Sequence, residues 1–153
     1  MLKKTPLKKK SKTSLKKLIQ ELTKLSHDFI RQRDSIKKYI IGGYCFDCGD
    51  YTEFQQFQCG HFIPDSTGGA LLRYHPINMH GQAGKCNCKY NQEFVKINYT
   101  LAMEKKYGKE YVQKLIQLKY KSIKADEIFY SKMIELYKEG NEKKIVAYLE
   151  SLI

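Results

Sequence analysis

Two pairs of thiols far apart in the chain, Cys45-Phe-Asp-Cys48 and Cys86-Asn-Cys88, restrict the fold of this sequence more than any other feature. Thiolates on two separate turns can close around one tetrahedral zinc ion, and the chain between them then becomes a closed loop. Gly49, directly after the first pair, supplies the backbone freedom that a knuckle turn needs. A redox role for Cys45 and Cys48 lacks the βαβ pattern that accompanies it. The Cys-x-Cys spacing of the second pair is less typical of zinc, so ordinary buried thiols are the competing reading there. Five cysteines make an odd count, which leaves Cys59 unassigned.

The charge balance points to a polyanion. Lys and Arg number 28 against 16 Asp and Glu, a formal net charge of +12 over 153 residues, and each cation placed on a phosphate releases a counterion. DNA or RNA is the simplest such partner. A basic protein of the membrane surface is the rival reading, and the lipid-anchor signals it needs are missing. No secretory signal and no apolar run near the ~20 residues of a membrane span is visible, so the sequence reads as intracellular and cytoplasmic with no membrane partner. In such a reducing compartment, two close cysteine pairs favour metal ligation over disulfides. With 42% hydrophobic residues, the chain suffices for one domain or for a small core with helical appendages.

Residues 1–17 hold eight lysines and no acid, and they read as a solvated basic arm, disordered at its start, that touches phosphate without reading sequence. From Ser14, the expected N-cap, Leu15, Leu18, Ile19, Leu22, Leu25 and Phe29 recur at threes and fours. That spacing predicts a helix over 14–40, ended by Gly42-Gly43. The middle has short strand-like stretches instead. Residues 57–63 predict one strand, 64–69 a loop and 71–74 the return strand, and a helix carrying Asn87 starts near Lys85. Beyond Tyr99 the pattern is helical again, punctuated by Gly108 and Gly140, with Asn141 capping the last helix. The tyrosines of this tail read first as packing, with base stacking as the alternative. The chain therefore divides into 1–40 (basic arm and helix), 41–98 (cysteine-bounded core) and 99–153 (helical extension).

The order Gly60-His61-Phe-Ile-Pro64, Ser66, Gly68-Gly69, Asn78 and Cys86-Asn87 resembles the HNH, or ββα-metal, endonucleases. More closely, Arg33-Asp34-Ser35, Tyr44-Cys-Phe-Asp-Cys-Gly49, Leu72-Arg73-Tyr74, Asn78-Met-His-Gly-Gln82 and Tyr107-Gly108 resemble the NinG (Rap) recombination endonucleases of lambdoid phages. The resemblance runs over residues 26–140. It implies an α+β fold with a small zinc-braced ββα-metal core, flanked by the basic N-terminal helix and C-terminal helices. It also implies metal-dependent cleavage of branched DNA, in the host cytoplasm if the chain is phage-encoded. His61 then matches the general base, Asn78 the loop residue that positions it, and Asn87 the helix residue that ligates a catalytic metal.

Two positions depart from that pattern. Gly60 stands where an aspartate often precedes the base in HNH enzymes, which brings in His80 as a catalytic or metal-binding residue, with structural hydrogen bonding as its alternative. Ala83 stands where the second thiol pair would begin. Cys88 is then the expected fourth ligand beside Cys45, Cys48 and Cys86 on a structural Zn²⁺, with Cys59 or His80 as substitutes. Mg²⁺ or Mn²⁺ suits the catalytic position, which offers oxygen ligands and an imidazole. An imidazole near its ordinary pKa of about 6.5 can deprotonate water near neutral pH, as phosphodiester hydrolysis requires. Cutting paired, symmetrically placed strands would suit a homodimer. His27 and His75 read as surface residues. The function expected is a DNA endonuclease for branched recombination intermediates. A non-catalytic zinc-dependent DNA-binding module is the alternative.

Overall fold

The apolar residues spaced at threes and fours wind one long helix, α1 (Lys12–Asp34), and bury Leu22 and Ile30 completely. The computed structural model describes residues 12–36, 41–89 and 92–153, so the start of the basic arm lies outside the described residues. Ser14 is not the cap expected of it. It sits inside α1, where its hydroxyl donates to Glu127 at 2.7 Å. The helix also stops at Asp34, short of the expected boundary at Gly42-Gly43. Those glycines instead begin β1 (Gly42–Tyr44), which pairs antiparallel with β2 (Tyr51–Glu53) around the first thiol pair.

A second antiparallel pair follows, β3 (Phe57–His61) with β4 (Met79–Ala83), in the register His61 opposite Met79 and Phe57 opposite Ala83. The first strand agrees with the sequence expectation. The return strand does not, because residues 65–73 form a helix, α2 (Asp65–Arg73), kinked at Gly69 where φ is 60°. The Leu71-Leu72 run is too short to betray its period. Folded as helix, it sends Leu71 into one core and Leu72 into another. A single 3-10 turn (Pro76–Asn78) then leads into β4.

α3 (Gly84–Asn87) follows β4 directly, so the β3–β4–α3 order is two strands and a short helix. After it come α4 (Glu93–Tyr107), α5 (Lys109–Gln117), α6 (Glu127–Glu139) and α7 (Glu142–Glu150). The expected punctuation is present at both ends of this tail. Gly108 separates α4 from α5, Gly140 caps α6, and the Asn141 side chain accepts from Lys144 N at the start of α7.

The β3–β4 hairpin partitions two apolar cores. Cys59 and Met79 face the first, where α1 lies on α6 and α6 packs on α7. Phe62 and Ile63, just past β3, enter the second with Tyr99 and Met103 of α4 and Leu115 of α5. Each fully buried Leu or Met contributes about 1.5–3 kcal/mol, and two cores on opposite sides leave the hairpin little freedom to tilt. Arg33 and Asp34 fix its position further. Arg33 donates to the Pro76 and Met79 carbonyls at 3.0 and 2.8 Å, while the Asp34 carboxylate accepts from Gly81 N at 2.8 Å. Among the described residues no helix is long and apolar enough to cross a membrane.

Candidate functional site

The β1–β2 turn and α3 bring Cys45, Cys48 and Cys86 together with Asp47, their ligand atoms all within 4.8 Å of one another. Gly49 has φ 76° and closes the knuckle. Three sulfurs and one carboxylate oxygen form a tetrahedral-type donor set that can hold a metal such as zinc. Burial and the Asp47 carboxylate, which accepts from Cys45 Sγ at 2.6 Å, push the Cys45 thiol up to about 11. Burial and the neighbouring Cys48 shift Cys86 in the same direction. A bound dication reverses this balance, since thiolates and a carboxylate are the forms it attracts.

Cys88 is not part of that group. Two residues apart on a helix lie ~200° around the axis, so Cys86 turns inward while Cys88 is exposed. Asp47 instead is the fourth group that stands with the three thiols. Cys59 is also outside the group, buried against α1, and burial pushes its thiol up to about 12. The signal for Asp47 was present in the sequence, an acid inside the Cys-x-x-Cys turn.

His61, the last residue of β3, is half-buried. Its Nε2 lies 3.0 Å from the Arg73 carbonyl at the end of α2. Its ring stands edge-on to His27 of α1, with centroids 5.7 Å apart. Burial lowers the pKa of His61, and burial followed by His61 itself lowers that of His27. His27 is therefore not the detached surface residue expected, and no motif marks it because the contact joins two distant elements. Asn78 is fully buried with every hydrogen-bonding arm engaged. Its Oδ1 accepts from Ile63 N at 2.9 Å, and its Nδ2 donates to the Ile63 and Leu72 carbonyls at 2.9 and 3.0 Å. Asn78 thus holds the chain just after His61 and just before the Arg73 carbonyl.

Asn87 ends α3, which packs against β3. Its Nδ2 donates to Gln58 Oε1 at 3.0 Å. An ideal Cβ on Gly60 would meet Gln82 Oε1 at 1.5 Å and Asn87 Oδ1 at 3.1 Å. The missing side chain at position 60 is therefore a slot already filled from β4 and faced by α3. Side chains alternate along a strand, so His61 and the Gly60 slot open to opposite faces of β3. Asn87 also lines a groove of about 480 Å³ between α1 and β3, together with Lys24, His27, Arg31 and Gln58.

His80 corrects its expectation most clearly. It is fully buried, stacked 3.7 Å from the Phe46 ring, with Nδ1 at 3.3 Å from Tyr99 Oη and Nε2 at 2.8 Å from Tyr107 Oη. Both ring nitrogens are engaged, which leaves none for a cation or a substrate proton. Burial holds its pKa well below the ordinary value. His75 is buried as well, against its reading as a surface residue, and caps the 3-10 turn by accepting from Ile77 N at 3.3 Å.

These features define a class, a mixed α+β protein in which a strand–strand–helix unit adjoins a cysteine–aspartate cluster able to hold a metal. The family described as Bacteriophage Lambda NinG protein matches residues 2–144, and the chain belongs to this NinG family. Membership points to a role connected with phage recombination. Comparison with curated proteins and with solved structures gives no match.

Proposed function

We propose that the protein is a metal-dependent endonuclease that hydrolyses phosphodiester bonds of branched DNA recombination intermediates in the host cytoplasm. The observation that carries this reading is the contact of His61 Nε2 with the Arg73 carbonyl. A carbonyl oxygen only accepts, so Nε2 bears the proton and Nδ1 keeps a lone pair. Burial lowers the pKa, which keeps the ring neutral near pH 7 and ready as a base. In the reaction, Nδ1 takes a proton from the water whose oxygen attacks phosphorus, and the phosphorus–oxygen bond to the sugar breaks with its electron pair leaving on the sugar oxygen, which takes a proton from solvent water. Asn78 acts through the backbone, holding the segments that carry His61 and its carbonyl partner. Asn87 is placed to hold a divalent cation such as Mg²⁺ or Mn²⁺, which when bound stabilises charge on the phosphoryl group. Zinc in the cysteine cluster would brace the β1–β2 turn against α3, and Lys24 and Arg31 along the groove suit phosphate contacts.

A second reading has an observation in its favour. Among the described residues no hydrogen bond or ring contact joins His61 to Asn87, as a non-catalytic zinc-dependent DNA-binding module recruiting recombination or replication partners would allow. The experiment that separates the two is a cleavage assay on four-way junction, flap, single-stranded and linear duplex DNA with Mg²⁺ or Mn²⁺. The endonuclease reading expects metal-dependent cutting of a branched substrate. His61→Ala should lower it roughly 10²–10⁴-fold while DNA affinity and zinc content stay in place. Cleavage indifferent to His61→Ala would remove the histidine from the chemistry, and a parent protein that cuts no branched DNA would leave the binding module.

A further inference from the structure

Three of the four histidines engage a ring nitrogen in the fold: His61 with the Arg73 carbonyl, His75 with Ile77 N, and His80 with two tyrosine hydroxyls. His27 of α1 makes no hydrogen bond among the described residues. It is half-buried, its ring lies 5.7 Å from that of His61, and it lines the groove of about 480 Å³ between α1 and β3. Packing explains a ring in this place but not an imidazole, because an apolar side chain would fill the space without two polar nitrogens to satisfy. The groove offers them a partner. Lys24 stands one turn before His27 and Arg31 one turn after it, so the three share a face of α1. Asp28 is the one acid lining the groove, so its charge favours an anion. The Arg31 guanidinium is committed to the Phe54 and Phe57 carbonyls at 2.6 and 2.7 Å, so it supplies charge there and leaves hydrogen bonding to its neighbours.

We infer that His27 binds the scissile phosphodiester of DNA, donating a ring N–H to a non-bridging phosphate oxygen in the groove while His61 addresses the water beside it. This role rests on the endonuclease reading. Rings with centroids 5.7 Å apart leave room for a water on one and a phosphate oxygen on the other, in contact at the ~3–3.5 Å of a near-attack arrangement. His27 touches His61 on one side and shares the groove with Asn87 on the other, so a phosphate held by it lies between the two. Burial, followed by the neighbouring His61, keeps the His27 ring neutral without DNA, and a neutral imidazole still has one N–H to donate. The charged and titratable groups around it are His61 of β3 and Asp65 of α2, Asp28 and Arg31 on its own helix, and Lys24 and Cys59 along the groove. A phosphate arriving among them favours the protonated ring.

The test follows the histidine ring signals of the ¹⁵N-labelled, zinc-loaded full chain by long-range ¹H–¹⁵N NMR, with and without saturating short flap DNA. Mg²⁺ and Mn²⁺ are left out so that nothing is cut. The His27 titration midpoint should rise by about one pH unit in the complex, and it should do so in a His61→Ala background as well. Inorganic phosphate at the same concentration should leave the midpoint in place. An equal rise with inorganic phosphate would assign the groove to a free anion and overturn the phosphodiester contact, as would His27 signals that DNA does not move. In cleavage, His27→Leu should lower kcat roughly 10–100-fold with KM within about twofold, and His27→Gln, which keeps an N–H donor, should recover most of the loss. Equal losses in both variants would leave His27 as packing for His61 and overturn the contact. Should His27→Leu fail to fold, the ring signals of the parent carry the test. A parent that cuts no branched DNA while its His27 midpoint rises would sink the nuclease reading and leave the phosphate site standing. Cutting by a protein whose His27 ignores DNA would do the reverse.

Discussion

Asn78 joins three backbone groups from one buried amide, and its replacement leaves the Ile63 N–H and carbonyl without the side chain that satisfies them. Asn78→Ala should therefore lower unfolding free energy by about 2–4 kcal/mol in a urea titration. An unchanged midpoint would show that the loop does not depend on it. His75 makes a second prediction at this scale. Burial lowers its pKa to about 4 in the fold, against about 6.5 in the unfolded chain. Between those values the unfolded chain binds more protons, so the contribution is complete above pH 6.5 and is lost as pH falls toward 4. Its size is on the order of 3 kcal/mol. His75→Asn keeps an acceptor for Ile77 N and removes the titration, so unfolding free energy measured from pH 7.5 to 5 should fall less steeply. Part of the slope should remain, because burial lowers His61 and His80 in the same direction. An identical slope in the variant would clear His75 of this role.

At the scale of elements, α3 decides the composition of the cysteine cluster. Its short turn presents Cys86 to Cys45 and Cys48 and swings Cys88 outward. Elemental analysis with chelator competition should find that Cys88→Ser retains zinc like the parent, whereas Asp47→Ala loses roughly 10–100-fold in affinity. The opposite ranking would return Cys88 to the site. Several elements were legible because a local signal and the tertiary fold agree, as at the β3 strand, the Asn141 cap and the Gly108 break. α2 was not. Its Leu71-Leu72 pair looks like a strand in isolation, and only the presence of a core on each side makes a helix the better solution.

At the scale of the whole molecule, α1 couples the basic arm to the hairpin that carries His61. The Arg33 guanidinium reaches the 3-10 turn, β4 and Glu142 of α7, so one residue ties together three separate elements. Removal of residues 1–12 deletes six lysines from a chain of net charge +12. DNA affinity should then weaken and its dependence on salt should become shallower, by up to ~0.9 for each phosphate that the arm no longer neutralises. Equal slopes for the parent and the truncated chain would mean that the arm does not touch phosphate.

The sequence by itself determined which residues could carry chemistry. Thiol spacing marked Cys45, Cys48 and Cys86, and a histidine at the end of a strand marked His61, because ligand turns and strand periods are local properties of the chain. Tertiary structure alone decided what surrounds them. It sealed His80 between Phe46 and two tyrosines, stood His27 beside His61, put Asp47 where Cys88 was expected, and filled the Gly60 slot with Gln82. Each of those outcomes depends on the direction of a side chain after distant elements have packed, and no spacing in the linear chain records that direction.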